Sequence, residues 1–284
     1  AGILPDADAL IQSDGDPLLV LDYHRSFTHA LAFVPIGALI AALLLWPLLH
    51  RRLRFARLYG YSLAGYALAG LLDACTSYGT YLGLPFSDAK VAWNLIAVFD
   101  PAFTLLLAVP LALTLRRPEA KAVHLGLLLA LGYLGVGYMQ QQRATTVATA
   151  AAAARGHVAE RLVVKPTMAN LILWRSLYVH QGQVHADAVH AGLKVRHYPG
   201  TSAPLLGPVP QGSAHGPDFE RFRRFSDDFM VETLPGYIGD ARYAMLPTAI
   251  APIWGITWNA AGRLEFVTRR EMTPTDRQRW LAML

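Results

Sequence analysis

Charge and cysteine are what this chain has least of. Only 16% of its 284 residues are Asp, Glu, Lys or Arg, against about 25% in soluble domains. That excludes an ordinary soluble globule for at least part of the chain. The deficit lies ahead of Arg143, so two domains are expected: a polytopic membrane domain over residues 1–143 and a soluble domain over 144–284. Cys75 is the one cysteine, which excludes an internal disulfide framework. No Walker A loop, G-x-S-x-G elbow or H-E-x-x-H pair occurs, so ATPase, serine-hydrolase and zincin readings have no motif behind them. A net charge of +5 would suit nucleic acid, but the arginines flank apolar runs, where membrane topology accounts for them. No nucleic-acid partner is expected. The chain opens at "AGILPDAD" without Met, and a further N-terminal segment is expected ahead of it.

What the chain has is long apolar runs. Four are long enough to be read as bilayer spans, which need about 20 residues: Ala30–Leu49, Phe55–Leu72, Val91–Leu115 and Ala122–Met139. The third is interrupted by Asp100-Pro101 and carries Pro110. Arg51, Arg52, Arg54 and Arg57 follow the first run, and Arg116, Arg117 and Lys121 follow the third. By the positive-inside rule both loops are cytoplasmic. The first residues, the loop after Asp73 and everything beyond the fourth run then lie outside the cytoplasm. A multi-pass protein of a bacterial inner membrane, with its C-terminal domain extracytoplasmic, is the expected topology.

Beyond the fourth run, "QQQRATTVATAAAAARG" has no helix breaker before Gly156 and should prolong that helix. "RLVVKP", "LILWRSLYVHQGQVHADAVHAGL" and "IAPIWGITWNAAGRLEFVTRR" read as strands and hairpins. "PDFERFRRFSDDF" reads as a short helix, and Thr273-Pro274 as the cap and first turn of a terminal one. Residues Pro199–Pro217 read as a long loop. The soluble part is therefore mixed α/β.

The polar groups beside the first run carry the chemistry. In "LPDAD" and "DYHRSFTH", an extended backbone would put Asp6 with Asp8 and Asp22 with His24 on shared faces. Ser26 or Thr28 would cap the first span and set His29 at the membrane surface. Asp73 closes the second run and Asp100 interrupts the third. An acid in an apolar run needs a partner or a function, although Asp100 before Pro101 also has the form of a helix cap. Carboxylate and imidazole donors together suit zinc, manganese or iron better than calcium. Asp6, Asp8, His24, His29 and Asp73 are the expected ligands of a divalent transition metal, zinc or manganese foremost. Asp100 is expected as a ligand or general base, and Arg25 as the fork holding an anionic oxygen. His180, His185 and His190, spaced by five, do not keep one strand face and read as surface residues. Lys165, Arg175 and Arg242 suit a phosphate but more often have structural ion partners.

"LPDAD", "HRSFTH", "DACTSYGTYLGLPFS" and Trp93-x6-Asp100-Pro101, in that order, resemble the YdjM-like, LexA-regulated inner-membrane proteins described as metal-dependent hydrolases. The resemblance covers the membrane half and extends loosely to Leu173-Trp174-Arg175. Ser26 and Ala30 stand where that family usually has Gly and Ser, which leaves the candidate ligands in place. The resemblance implies a preceding helix with its own Thr-His pair, and so a further ligand. The expected activity is metal-assisted hydrolysis at the extracytoplasmic face, on a phosphoester or lipid-linked amphiphile meeting the protein at the lipid bilayer. Two other classes stay open: a transporter or ion-path protein lined by Asp73 and Asp100, and a non-catalytic scaffold with a closed structural metal.

Overall fold

Proline and glycine mark the element boundaries in the computed structural model, which describes residues 1–116, 120–208 and 215–284. The chain divides into two compact units, Ala1–Trp93 and Asn94–Leu284.

In the first unit the "LPDAD" stretch is helical where extended backbone was expected. Pro5–Leu10 forms a 3-10 helix begun by its proline, with Asp8 buried and Asp6 exposed. Proline's fixed φ suits a first turn, and the helix sends the two acids in different directions. Leu19–Tyr23 is a single α-turn, α1, and Phe27–His29 and Leu31–Phe33 are 3-10 turns. They lead into α2 (Val34–Leu49) and α3 (Phe55–Ala74). Neither Ser26 nor Thr28 caps α2, whose N-cap position is Phe33; Thr28 is committed to Asp8. The two helices meet through small residues: Gly37, Ala38, Ala41 and Ala42 of α2 are buried, as are Ser62, Tyr66 and Gly70 of α3. A Cβ at position 37 would overlap the Tyr66 ring.

The second unit begins with irregular chain, because helix α4 starts only at Pro101 and runs to Arg116. Val91 instead bridges to Thr80, so the third apolar run is helical in its second part alone. Asp100 caps α4, its Oδ1 accepting from Phe103 N at 3.1 Å. Helix α5 covers Ala120–Ala154 and ends before Gly156, whose φ is +76. The boundary expected between 143 and 144 falls inside this unbroken helix. Arg117, and with it part of the second arginine-rich loop, lies outside the described residues.

Ala144, Ala148 and Ala152, four apart on one face of α5, are buried and lie against an antiparallel sheet ordered β1-β2-β3-β4. Its strands are β1 (Arg161–Pro166), β2 (Leu173–His180), β3 (Gln183–Ala191) and β4 (Val195–Tyr198). The residues expected as a long loop include a further strand, β5 (Ser202–Pro204), paired with β3; residues 209–214 of that stretch lie outside the described set. After α6 (Gly216–Phe225) comes a second antiparallel sheet, β6 (Met230–Leu234), β7 (Tyr237–Asp240), β8 (Trp254–Trp258) and β9 (Leu264–Thr268). Leu177, Val179, Val184 and Ala186 of the first sheet share one core with Phe229, Val231, Ala241 and Ile250. Helix α7 (Pro274–Met283) carries a complete capping box from Thr273 to Asp276, the terminal helix read from sequence.

Among the described residues two helical stretches, Leu31–Leu49 and Lys121–Ala154, are long and apolar enough to cross a membrane by length and composition. Pro101–Leu115 is a shorter apolar helix. Helix α3 has 20 residues, but its tyrosines, Arg57, Ser62 and Asp73 dilute it.

Candidate metal centre

The centre of the first unit is the Asp8 carboxylate, buried and fully engaged. His24 Nδ1 meets its Oδ1 at 2.8 Å. Arg25 N, at 2.9 Å, and the Thr28 hydroxyl, at 2.6 Å, donate to its Oδ2. His29 Nδ1 lies 3.3 Å from the same oxygen. Burial alone would raise this carboxyl, but hydrogen bonds from His24, His29 and Thr28 hold it well below the usual carboxylate range. To give Asp8 its backbone N–H, Arg25 takes a positive φ of 58, a conformation disfavoured outside glycine. Tyr81 N fastens it by donating to Arg25 O at 3.1 Å.

These contacts decide which nitrogen of His29 is free. The Thr28 hydroxyl gives its proton to Asp8 and lies 3.0 Å from His29 Nδ1, so the neutral ring carries its proton on Nδ1 and turns the Nε2 lone pair the other way. There Nε2 lies 3.0 Å from Asp73 Oδ2 and 3.5 Å from Asp6 Oδ1. It is buried without a directed hydrogen bond. One ligand atom each from Asp6, His29 and Asp73 fall within 4.8 Å of one another, the one such group among the described residues. Burial opposes charge on His29, yet the Asp73 and then the Asp8 carboxylates outweigh it and push the pKa up to about 9. One nitrogen and two carboxylate oxygens around a half-open point fit a divalent transition ion, with a carboxylate orienting the imidazole from behind.

The helices hold this arrangement from below. Tyr66 OH donates to Thr28 O at 2.9 Å. A Cβ on Gly70 would come within 2.6 Å of His29 O. Asp73 is held from its far side, its Oδ1 3.1 Å from Arg25 Nη2. Arg25 Nη1 donates to Thr76 Oγ1 at 3.1 Å. The Arg25 fork, buried and lying over the Tyr78 ring, is therefore occupied by Asp73 and Thr76.

Of the residues expected at the site, the structure gathers Asp6, His29 and Asp73 as converging donors, places Asp8 and His24 behind them, and uses Arg25 to hold Asp73. Asp100 belongs to the second unit, where both carboxylate oxygens accept from Tyr133 OH, at 3.1 and 3.0 Å. Thr28 and Thr76 were not singled out as site residues; each sits within a motif that was, but a lone hydroxyl carries no spacing signal.

The charged groups and histidines of the second unit resolve differently. Arg175 donates to the carbonyls of Leu246, Pro247, Ala249 and Ala241, and Arg242 pairs with Asp240 at 2.8 Å. Lys165 is buried with Nζ over the Tyr243 ring, where burial and then Arg175 and Arg242 drive its pKa far down. His180 and His185 are half-buried rather than fully exposed, packed on His157 at 4.4 and 4.8 Å between ring centroids.

The long apolar helices fit a membrane protein. Residues 1–144 match the family model described as "YdjM inner membrane protein", and the chain belongs to that family. It is 31% identical over 97 residues to "Uncharacterized protein YfhP" of Bacillus subtilis (strain 168), an alignment covering 34% of this chain and 29% of that protein. The chain thus spans under a third of the length of that curated relative. No solved structure matches.

Proposed function

We propose that Asp6, His29 and Asp73 hold a divalent transition metal, zinc or manganese, and that the protein is a membrane-bound metal-dependent hydrolase of phosphoesters or lipid-linked substrates. The observation that carries this reading is His29 Nε2: buried, without a directed hydrogen bond, and facing two carboxylates. In the metal-free protein Asp73 Oδ2, 3.0 Å away, meets this nitrogen as an ion pair, and a divalent ion would take the place of the proton between them. A divalent ion there supplies Lewis acidity and lowers the pKa of water. The chain's own part is positional. Asp8 and Thr28 keep the His29 proton on Nδ1, Arg25 keeps Asp73 Oδ1 engaged so that Oδ2 faces inward, and exposed Asp6 leaves the cluster open to an incoming substrate. In this reading α2, α3, α4 and α5 cross the bilayer, and the cluster and C-terminal domain lie at the extracytoplasmic face. The support is the pair of arginine-rich loops and the family's inner-membrane character.

The Arg25–Asp73 pair favours one other reading, a non-catalytic scaffold in which this ionic network stands in place of the closed structural metal. One experiment separates the two. Purified protein is assayed for bound metal and for hydrolysis of a generic phosphodiester, beside Asp6→Asn, His29→Ala and Asp73→Asn. Metal near one equivalent, lost in all three variants together with turnover, is the expected result. Metal-free, inactive wild type with normal folding would support the scaffold.

A further inference from the structure

Two turns of the β-domain grip α5 where its apolar stretch ends. Gln140 Nε2 donates to Leu171 O at 3.2 Å and to Ala191 O at 2.7 Å. Arg143 donates to Ala191 O at 3.2 Å and Gly192 O at 2.9 Å. Leu171 lies in the β1–β2 turn, Ala191 ends β3 and Gly192 opens the β3–β4 turn, and Ala191 N donates to Ile172 O at 2.7 Å. The chain just ahead of α4 joins them, since Ala169 N donates to Phe99 O at 3.0 Å. Gly137 lets this segment lie against α5, because a Cβ there would overlap Leu95 O.

These segments turn apolar side chains outward. Leu193 is fully exposed, Met168 is 68% exposed and Phe99 62%, with Ile172 and Val195 also exposed. They are not floppy ends. The Asn170 side chain ties the first turn by accepting from Ile172 N and Leu173 N at 2.9 and 2.7 Å. Rigid turns presenting leucine and methionine to water are costly unless something covers them. The charge pattern names the cover. Lys194 and Arg196 flank Leu193 and Val195, Arg143 lies beside them, and no acidic residue occurs in 94–99, 167–172 or 191–198. Apolar tips with a purely basic flank match a bilayer interface with anionic headgroups.

We propose that the β1–β2 and β3–β4 turns, with Phe99, dock the β-domain on the bilayer surface. Leu193 and Met168 enter the interfacial region, and Lys194 and Arg196 lie among anionic headgroups. The inference rests on reading α5 as a span, which sets Gln140 at the edge of the hydrocarbon. It gives the domain a fixed membrane-facing end. Val158, past the far end of α5 and also exposed, is on the order of 20 Å further along at 1.5 Å per residue, and faces water.

Nitroxide labels test this in full-length protein reconstituted into phosphatidylcholine vesicles with or without phosphatidylglycerol. Cys75 is buried, so wild type is the labelling control. Labels at Leu193→Cys and Met168→Cys should relax with oxygen in preference to a water-soluble nickel chelate, as should Leu131→Cys within α5; Val158→Cys should show the reverse. Adding Lys194→Glu and Arg196→Glu to the Leu193→Cys protein should shift its label toward nickel access in phosphatidylglycerol vesicles. Nickel access at 193 and 168 equal to that at 158, with 131 still oxygen-favoured, overturns the docking alone. A nickel-favoured label at 131 overturns the span reading of α5 instead. Dipolar broadening at 193 that vanishes on dilution with unlabelled protein assigns the surface to a second copy and overturns the proposal. Unchanged depth in the charge-reversed protein overturns the headgroup contact.

Discussion

His29 has two nitrogens with two duties, and substitutions should separate them. Removing His29, Asp6 or Asp73 deletes a proposed ligand and should empty the site. Asp8→Asn leaves the ligands but weakens the group that orients the ring. Such supporting residues typically cost 10–100-fold in metal affinity, and a titration with chelator-buffered zinc measures the difference. The pH dependence has a defined sign. In metal-free protein the pKa of His29 rises from 6.5 to about 9 on folding. Its stabilisation is complete below pH 6.5 and is lost as pH climbs through about 9. Asp8, shifted the other way, contributes stability above the ordinary carboxylate range that is lost on acidification. Melting temperature of chelator-treated protein should therefore fall between pH 6.5 and 9. Metal affinity should move oppositely, rising about tenfold per pH unit toward pH 9, as expected when one proton is displaced. Affinity flat with pH would remove His29 from the ligand set. Asp100 has partners that account for it as a cap and an acceptor. Asp100→Asn keeps an oxygen for Phe103 N and should leave turnover within a few-fold of wild type. A loss of about 10²–10⁴-fold would reinstate it as general base.

Among the elements, α3 matters most because it fixes a loop it does not contain. Gly70 admits the His29 carbonyl and Gly37 admits the Tyr66 ring that holds Thr28 O. Alanine has the better helix propensity by about 1 kcal/mol, so on an isolated helix Gly70→Ala would stabilise. Here the added methyl must push the His29 backbone away. Gly70→Ala should lower metal occupancy while circular dichroism reports unchanged helix. In the second unit, Asp187 binds Arg155 through both carboxylate oxygens, at 2.8 and 3.0 Å, and receives Gly200 N at 2.9 Å. Burial raises the Asp187 carboxyl, but Arg155, Gly200 and His197 bring it below its ordinary value. Asp187→Ala removes the partner of a half-buried guanidinium joining the end of α5 to β3. Breaking a buried pair costs about 3–5 kcal/mol; Arg155 is partly exposed, so the lower end is expected, read by denaturant unfolding.

For the whole molecule, the proposed orientation rests on the arginines. Arg51, Arg52 and Arg54 lie between α2 and α3 and Arg57 in the first turn of α3, and carrying that many charges to a bilayer's outer side is disfavoured. A tag after Leu284 should be accessible from outside the cell, and one between Arg52 and Arg57 should not. The reverse pattern would move the cluster and the β-domain to the cytoplasm and remove an external substrate from the proposal.

Much of this was readable in the linear chain because it depends on local chemistry. Thr273-Pro274 made a capped helix, Gly156 ended α5, and Gln181-Gly182 turned a hairpin, each through backbone preferences a neighbour cannot easily override. The donors Asp6, His29 and Asp73 were legible by residue type, since acids and imidazoles beside apolar runs are costly without a use. Their division of labour was not. An extended reading of "LPDAD" put Asp6 and Asp8 together, whereas the 3-10 turn buried Asp8 and left Asp6 open, and only packing against His24, Arg25 and Thr28 chose between them. Arg25 looked free to bind an anion until Asp73, 48 residues further along, was folded against it. The strands β6 and β7 also escaped: Pro235-Gly236 marks the turn between them, but the strands are only five and four residues long, too short to show a period of two. Local backbone preference and solvation cost are written residue by residue. Which carboxylates face His29 Nε2 and which one faces Nδ1 is settled by contacts between distant segments, and these exist only once the chain has closed on itself.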